Sequence, residues 1–241
     1  MAGRETAVFL LENKKGCEDT TMKWNSKFVA VLLVLLSLAS LGNCSVSTTL
    51  SAVEVRDYQG EKLDSIADFR ENSILGPQQV DLATYQLQIS GLVNQPQTYT
   101  YRQVIDANAH YQKVTTLHCV EGWSAKILWN GVLLSDLLAP AGVKPEAKIA
   151  IFKAVDGYTT SLPLDYLVQN KILFAYEMNG VTLPSERGFP FQLVAENKWG
   201  YKWIKWVKEI ELSDDANYKG YWESRGYGNS GDFDEGGNFQ N

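Results

Sequence analysis

Leu117-His118-Cys119-Val120-Glu121-Gly122-Trp123 follows directly on the run Val114-Thr115-Thr116. It sets one cysteine beside a histidine, a carboxylate and a glycine. On an extended backbone successive side chains alternate, so Cys119 and Glu121 share a face and His118 takes the other. Three chemistries are open to the thiol. It can be an inert small hydrophobe in a core. It can be a nucleophile served by a histidine base. It can, as thiolate, be a ligand to a soft or redox-active metal. The alternation counts against His118 as the base of a thiol enzyme and leaves His110 as the other candidate. Glu121 has two readings: a carboxylate that accepts hydrogen bonds from a bound ring or handles protons, or a solvated loop glutamate.

Outside this stretch, bulk numbers narrow the classes. The chain has 241 residues, 45% hydrophobic and 21% charged, which is ordinary globular composition for one sizeable domain with appendages. A net charge of −6, from 22 basic and 28 acidic residues, gives no basic footprint, and no nucleic-acid partner is expected. Two histidines are too few for a multi-histidine metal site, and the three cysteines, Cys17, Cys44 and Cys119, form no CxxC pair. Each cysteine falls in a different kind of segment, so a disulfide framework is not expected.

A second candidate site is Lys198-Trp199-Gly200-Tyr201-Lys202-Trp203-Ile204-Lys205-Trp206. Lysines and tryptophans at near-helical spacing can make an amphipathic helix with a solvated basic face. Gly200 interrupts that pattern. A glycine that frees backbone N–H groups, followed by lysines, makes an anion cradle suited to a phosphate. Trp203 and Trp206 are core aromatics or an interfacial belt in the alternative reading.

Elsewhere the chain reads as many short strands broken by glycine and proline, with few short helices: an α+β fold of mixed sheets. Tyr85–Ile89 alternates apolar and polar as a half-buried strand does. Val132–Leu138 predicts a short helix stopped by Pro140 and Gly142, Lys148–Val155 a strand ended at Asp156-Gly157, and Phe189–Val194 and Glu209–Leu212 further strands. Lys23 and Lys27 before the uncharged run from Phe28 to Leu41 form a secretory-type signal, too short for the about 20 residues of a membrane span. Leu41-Gly42-Asn43-Cys44 looks like a lipobox, with Met22 the more natural start. The expected organisation is a tail and signal or lipoprotein-type segment over 1–44, a linker over 45–78 with one helical turn near Lys62–Phe69, a catalytic domain over 79–227 and a disordered tail over 228–241. The domain is expected outside the cytoplasmic membrane, anchored through the N-terminal segment or a lipid at Cys44.

Further motifs occur in order with the cysteine stretch: Trp129-Asn130-Gly131, Asp156-Gly157-Tyr158-Thr159-Thr160-Ser161-Leu162-Pro163, the run Ala175-Tyr176-Glu177-Met178-Asn179-Gly180 to Pro184, Ser185 to Val194, and Trp222-Glu223-Ser224-Arg225-Gly226-Tyr227. Together they resemble the molybdopterin-binding domain of the sulfite oxidase family, and Cys-Val-Glu is similar to the bacterial periplasmic branch that reduces oxidised methionine in proteins. The resemblance implies a molybdenum–molybdopterin cofactor, with Cys119 as the one protein ligand to molybdenum and Glu121 beside it. It implies Gly200, Tyr201, Lys202 and Lys205 at the phosphate end and pterin body, and Asp156 near the pterin. Arg187 stands where a cofactor-binding histidine is common, and Gln192 where an arginine is common. Tyr227 takes the place of an active-site tyrosine. No counterpart to the family's upstream arginine-rich sulfite-binding segment is identified, nor a haem or dimerisation domain. The implied reaction is a two-electron oxygen-atom transfer on a small or protein-borne sulfite- or sulfoxide-type substrate, with a membrane electron-transfer partner. The rival is a binding module that keeps the fold without the cofactor.

Overall fold

The computed structural model describes residues 53–233. The signal-like segment, Cys17 and Cys44 lie outside these residues, as do 234–241. Among the described residues no helix is long and apolar enough to cross a membrane.

Short alternating or fully apolar runs become strands because each can bury one or both faces. After a small hairpin, β1 (Asp57–Tyr58) and β2 (Glu61–Lys62), come β3 (Leu87–Gly91), β4 (Gln97–Tyr99), helix α1 (Tyr101–Asp106), β5 (Tyr111–His118) and β6 (Ser124–Leu133). Helix α2 (Leu134–Leu138), β7 (Ile149–Ala154), β8 (Thr159–Pro163), α3 (Leu164–Gln169), β9 (Leu173–Met178), β10 (Val181–Thr182), β11 (Gln192–Val194) and β12 (Val207–Ser213) complete the order. One sheet runs β10-β9-β6-β5, with β11 also paired to β9. The other runs β4-β3-β12-β7-β8 and is mixed: β12 lies parallel to β3 and antiparallel to β7. A single apolar cluster joins them, including Leu87, Ile89, Phe152 and Ile210 from the second sheet and Trp129 and Phe174 from the first. Burying side chains of this size is worth roughly 1.5–3 kcal/mol each.

The alternation in Tyr85–Ile89 is realised in β3, where Leu87 and Ile89 are buried and Gln88 is exposed. The predicted helix begins two residues late, at Leu134, because Val132 and Leu133 continue β6 into its pairing with β9. Two expectations need correction. The stretch 45–78 is not a loose linker where it is described. Glu54 is buried and accepts hydrogen bonds from Ile66 N–H at 2.9 Å, Ser65 Oγ at 2.5 Å and Asn179 Nδ2 at 3.4 Å. Burial raises that carboxyl, but these hydrogen bonds and the Arg56 charge outweigh it and hold it below its ordinary range. The expected helical turn is a 3-10 turn, Ile66–Asp68. Nor is the tail loose up to residue 233. Asp232 bridges to Lys198, and the Phe233 ring stacks on His118 at 3.9 Å.

Candidate functional site

Strand β5 delivers Cys119 at its C-terminal end, where the chain leaves the sheet in a tight turn. Gly122 N–H donates to the Cys119 carbonyl at 3.0 Å, and Cys119 N–H donates to the Trp123 carbonyl at 2.9 Å. Gly122 has φ +84°, a conformation that favours glycine at this turn. Cys119 is 7% exposed and lines a cleft of about 410 Å³, within the usual range for a small-molecule or cofactor site. Glu121 reaches the same cleft through the turn rather than along an extended strand. His118 faces away onto Phe233, so the predicted separation of the two neighbours holds and His118 is no base for the thiol.

Burial pushes the Cys119 thiol up. The Glu121 backbone N–H pulls it down, the Glu121 carboxylate pushes it up again, and the Asn72 amide and the Arg70 charge pull it down. The net shift is upward, which favours the protonated thiol. A metal would have to displace that proton, as thiolate ligation requires.

The second wall is the Lys198–Trp206 segment. It forms no helix beyond the single 3-10 turn Gly200–Lys202. Gly200 packs on the end of β5: a Cβ there would meet the His118 carbonyl oxygen at 3.2 Å and Cys119 Cα at 3.5 Å. Glycine therefore lets this turn lie directly against the cysteine. Tyr201 lines the cleft and donates from its hydroxyl to the Gly228 carbonyl at 2.7 Å, while Tyr158 donates to the Tyr201 carbonyl at 2.5 Å. Lys205 lines the cleft, donating to Glu71 at 2.7 Å and lying 4.3 Å from the Trp206 ring centre. Burial lowers its pKa, opposed by the Glu71 hydrogen bond and charge. Asp156 joins from the β7–β8 turn, accepting the Tyr158 N–H at 3.0 Å. Tyr227 closes the far side, its ring 5.2 Å from Tyr201.

Lys202 departs from expectation. Its side chain is fully buried behind the cleft wall, paired with Glu223 at 2.5 Å. The physical reason is the 3-10 turn, whose three-residue period sends consecutive side chains to different sides. Tyr201 points into the cleft and Lys202 into the protein. Arg187 does line the cleft, but its guanidinium donates to the Arg70 carbonyl at 3.1 Å and the Phe69 carbonyl at 2.6 Å. Its Nε is buried without a partner. Burial holds its pKa below the ordinary arginine value.

Those carbonyls belong to a strap, residues 69–74, that sequence reading passed over. The strap lines the cleft, placing Asn72 Nδ2 3.4 Å from Cys119 Sγ and Glu71 on Lys205. It also brings Arg70 to the cleft, close enough for its charge to act on the thiol. The only signal in the sequence was the polar cluster Arg70-Glu71-Asn72 inside a supposed linker. Gln192 and Trp222 line the cleft as well.

Comparison with known proteins shows which family the chain belongs to. The family described as "Oxidoreductase molybdopterin binding domain" matches residues 75–222. The chain is 38% identical to the uncharacterized oxidoreductase YuiH of Bacillus subtilis over 157 residues, 65% of this chain and 78% of that protein. It is 34% identical to the putative protein-methionine-sulfoxide reductase subunit YedZ1 of Azospira oryzae, covering 80% of this chain and 74% of that one. The sulfane dehydrogenase SoxCD of Paracoccus pantotrophus shares the fold, with a TM-score of 0.58 and 21% identity over 86% of this chain and 57% of that one. A sulfite-oxidase-type α+β fold, an in-order match across most of the described residues and two relatives spanned over most of their length converge: this chain belongs to the oxidoreductase molybdopterin-binding domain family.

Proposed function

We propose that this oxidoreductase catalyses two-electron oxygen-atom transfer on a sulfite- or sulfoxide-type compound, small or borne on a protein, with the Cys119 thiolate as molybdenum ligand. The observation that carries the reading is a single buried thiol at the floor of a cofactor-sized cleft, flanked by Lys205, Arg187 and the glycine turn at 200. The donor set fits a molybdenum–pterin group: one soft sulfur for the metal, cationic groups for a phosphate, and amide and hydroxyl groups for a pterin ring. When bound, the group supplies the redox chemistry, taking up or releasing two electrons as one oxygen atom is transferred.

The chain's own residues supply the rest. Cys119 gives up its proton on ligation, and the Cys119–Trp123 turn holds its direction. Asn72 donates to the sulfur from the strap. In the reductive direction X=O takes two electrons and two protons and leaves X and water. Glu121, exposed at the mouth of the cleft, is the carboxyl placed to pass those protons. Tyr227 and Trp222 form the aromatic side against which the apolar part of a sulfoxide would pack. An external electron partner completes the cycle, and the signal-like segment before residue 45 is read as the address that places the domain outside the cytoplasmic membrane.

The test is elemental and pterin analysis of protein made in a molybdopterin-producing host, followed by turnover with sulfite and with free and peptide-borne methionine sulfoxide. Near-stoichiometric molybdenum with turnover of one of these supports the proposal. Folded protein with neither metal nor pterin overturns it in favour of a binding module.

A further inference from the structure

Glu223 does not line the cleft, yet it is among the most buried charged groups of the described residues. Its side chain and that of Lys202 are both 0% exposed. Lys202 Nζ donates to Glu223 Oε1 at 2.5 Å and to the Ser161 carbonyl at 3.1 Å. The same Oε1 accepts the Thr160 hydroxyl at 2.6 Å. Three segments therefore meet at one carboxylate oxygen: strand β8, the 3-10 turn Gly200–Lys202 and the C-terminal run 220–228. Backbone bonds extend the junction, since Tyr221 N–H donates to the Thr159 carbonyl at 2.9 Å.

The other face of that C-terminal run is the cleft wall. Trp222 and Tyr227 line it with ring centres 5.1 Å apart. A buried ion pair is a poor choice for stability alone, because a well-packed apolar pair of similar volume serves as well or better. What it penalises is displacement, since moving either partner leaves an uncompensated charge in apolar surroundings. Substrate-side aromatics that must keep one position next to a deep cleft have use for such a restraint.

We propose that Lys202 and Glu223 are positioning residues: a buried ionic staple that fixes the segment bearing Trp222 and Tyr227 against the cleft. The substrate side of the site takes its shape from a pair that does not line it. The kinetic half of this inference rests on the proposed oxygen-atom transfer; the structural half does not.

The test compares E223Q, T160V and K202M/E223L with wild-type holoenzyme, by amide hydrogen exchange and by separate kcat and KM. In E223Q, exchange at Tyr221, Ser224 and Tyr227 accelerates about 100-fold while β7 is unchanged. KM rises about tenfold with kcat within about threefold, because binding and not the chemical step is lost. T160V, a milder change, accelerates the same amides about threefold. The double variant removes both charges and restores protection and KM to within about fivefold of wild type. Unchanged exchange in E223Q, or in T160V should E223Q not fold, overturns the staple. A double variant that is no better protected than E223Q, or that does not fold, also overturns it. Restored protection with KM still raised overturns the positioning role, since holding the segment would then not be what sets substrate binding. If the wild type turns over no oxo-compound, the exchange data still decide the staple, and the catalytic reading fails separately.

Discussion

Replacing Arg187 by Met should open the strap over Cys119 without unfolding the domain. Arg187 holds the strap through two charged hydrogen bonds, to the carbonyls of Phe69 and Arg70 at 2.6 and 3.1 Å, and lies 5.0 Å over the Phe69 ring. Hydrogen bonds from a charged donor are worth about 1.5–3 kcal/mol each, so the pair contributes roughly 3–6 kcal/mol. The cation–π contact adds about 0.5–2 kcal/mol. These values are already net of desolvation, and what Met recovers beyond them is the cost of the buried Nε that has no partner, about 1–3 kcal/mol, which brings the loss to the low end of the range. The net loss is about 2 kcal/mol, equivalent to about a 30-fold rise in the open population. Asn72 covers the sulfur from that strap. Alkylation of Cys119 in cofactor-free protein, followed by peptide mapping, should therefore run about 30-fold faster in R187M, with exchange in β5 and β6 unaltered. An alkylation rate within about twofold of wild type would mean that the strap is held by something other than Arg187.

Three further outcomes are expected. C119S should retain the fold and lose both molybdenum and turnover, read by elemental analysis and assay, because a hydroxyl is a poor soft-metal ligand. E54Q should melt roughly 4–8 °C below wild type at neutral pH, from a loss of about 2 kcal/mol. Since the folded carboxyl of Glu54 titrates below its ordinary value of 4.5, its contribution is present above that pH and is lost as pH falls through the folded value; the difference between the two melts should shrink there, and a constant difference would remove Glu54's charge from the account. G200A should cost about 1–3 kcal/mol and lower cofactor occupancy, because the added Cβ meets the His118 carbonyl oxygen at 3.2 Å and the cysteine backbone just beyond it; thermal melting and molybdenum content check it.

Much of the site was legible from order along the chain. Cys119, Glu121, Asp156, Arg187, Gly200, Tyr201, Lys205 and Tyr227 share one cleft, although they span more than a hundred positions. Each sits at a strand end or a turn, where local signals are strong: the Asp156-Gly157 turn, the glycine before Tyr201 and the apolar run that ends at His118. The Lys198–Trp206 segment was ambiguous, because lysines and tryptophans at helical spacing describe a helix as well as they describe a loop, and only contact with the end of β5 selects the tight turn.

The chain by itself determined which residues could do the chemistry, since thiol, carboxylate and glycine turn are properties of side chains and short backbone runs. It also determined the faces of β3, since period-two burial follows from the pleat alone. Only the tertiary structure decided what covers the thiol and what stands behind the wall. Asn72 reaches Cys119 across 47 positions, Glu71 reaches Lys205 across 134, and Lys202 turns inward to a carboxylate 21 positions later. No local pattern encodes such pairings. A charged side chain takes whichever partner the packed chain brings within about 3 Å, and that choice is made by the sheets that carry the two ends together.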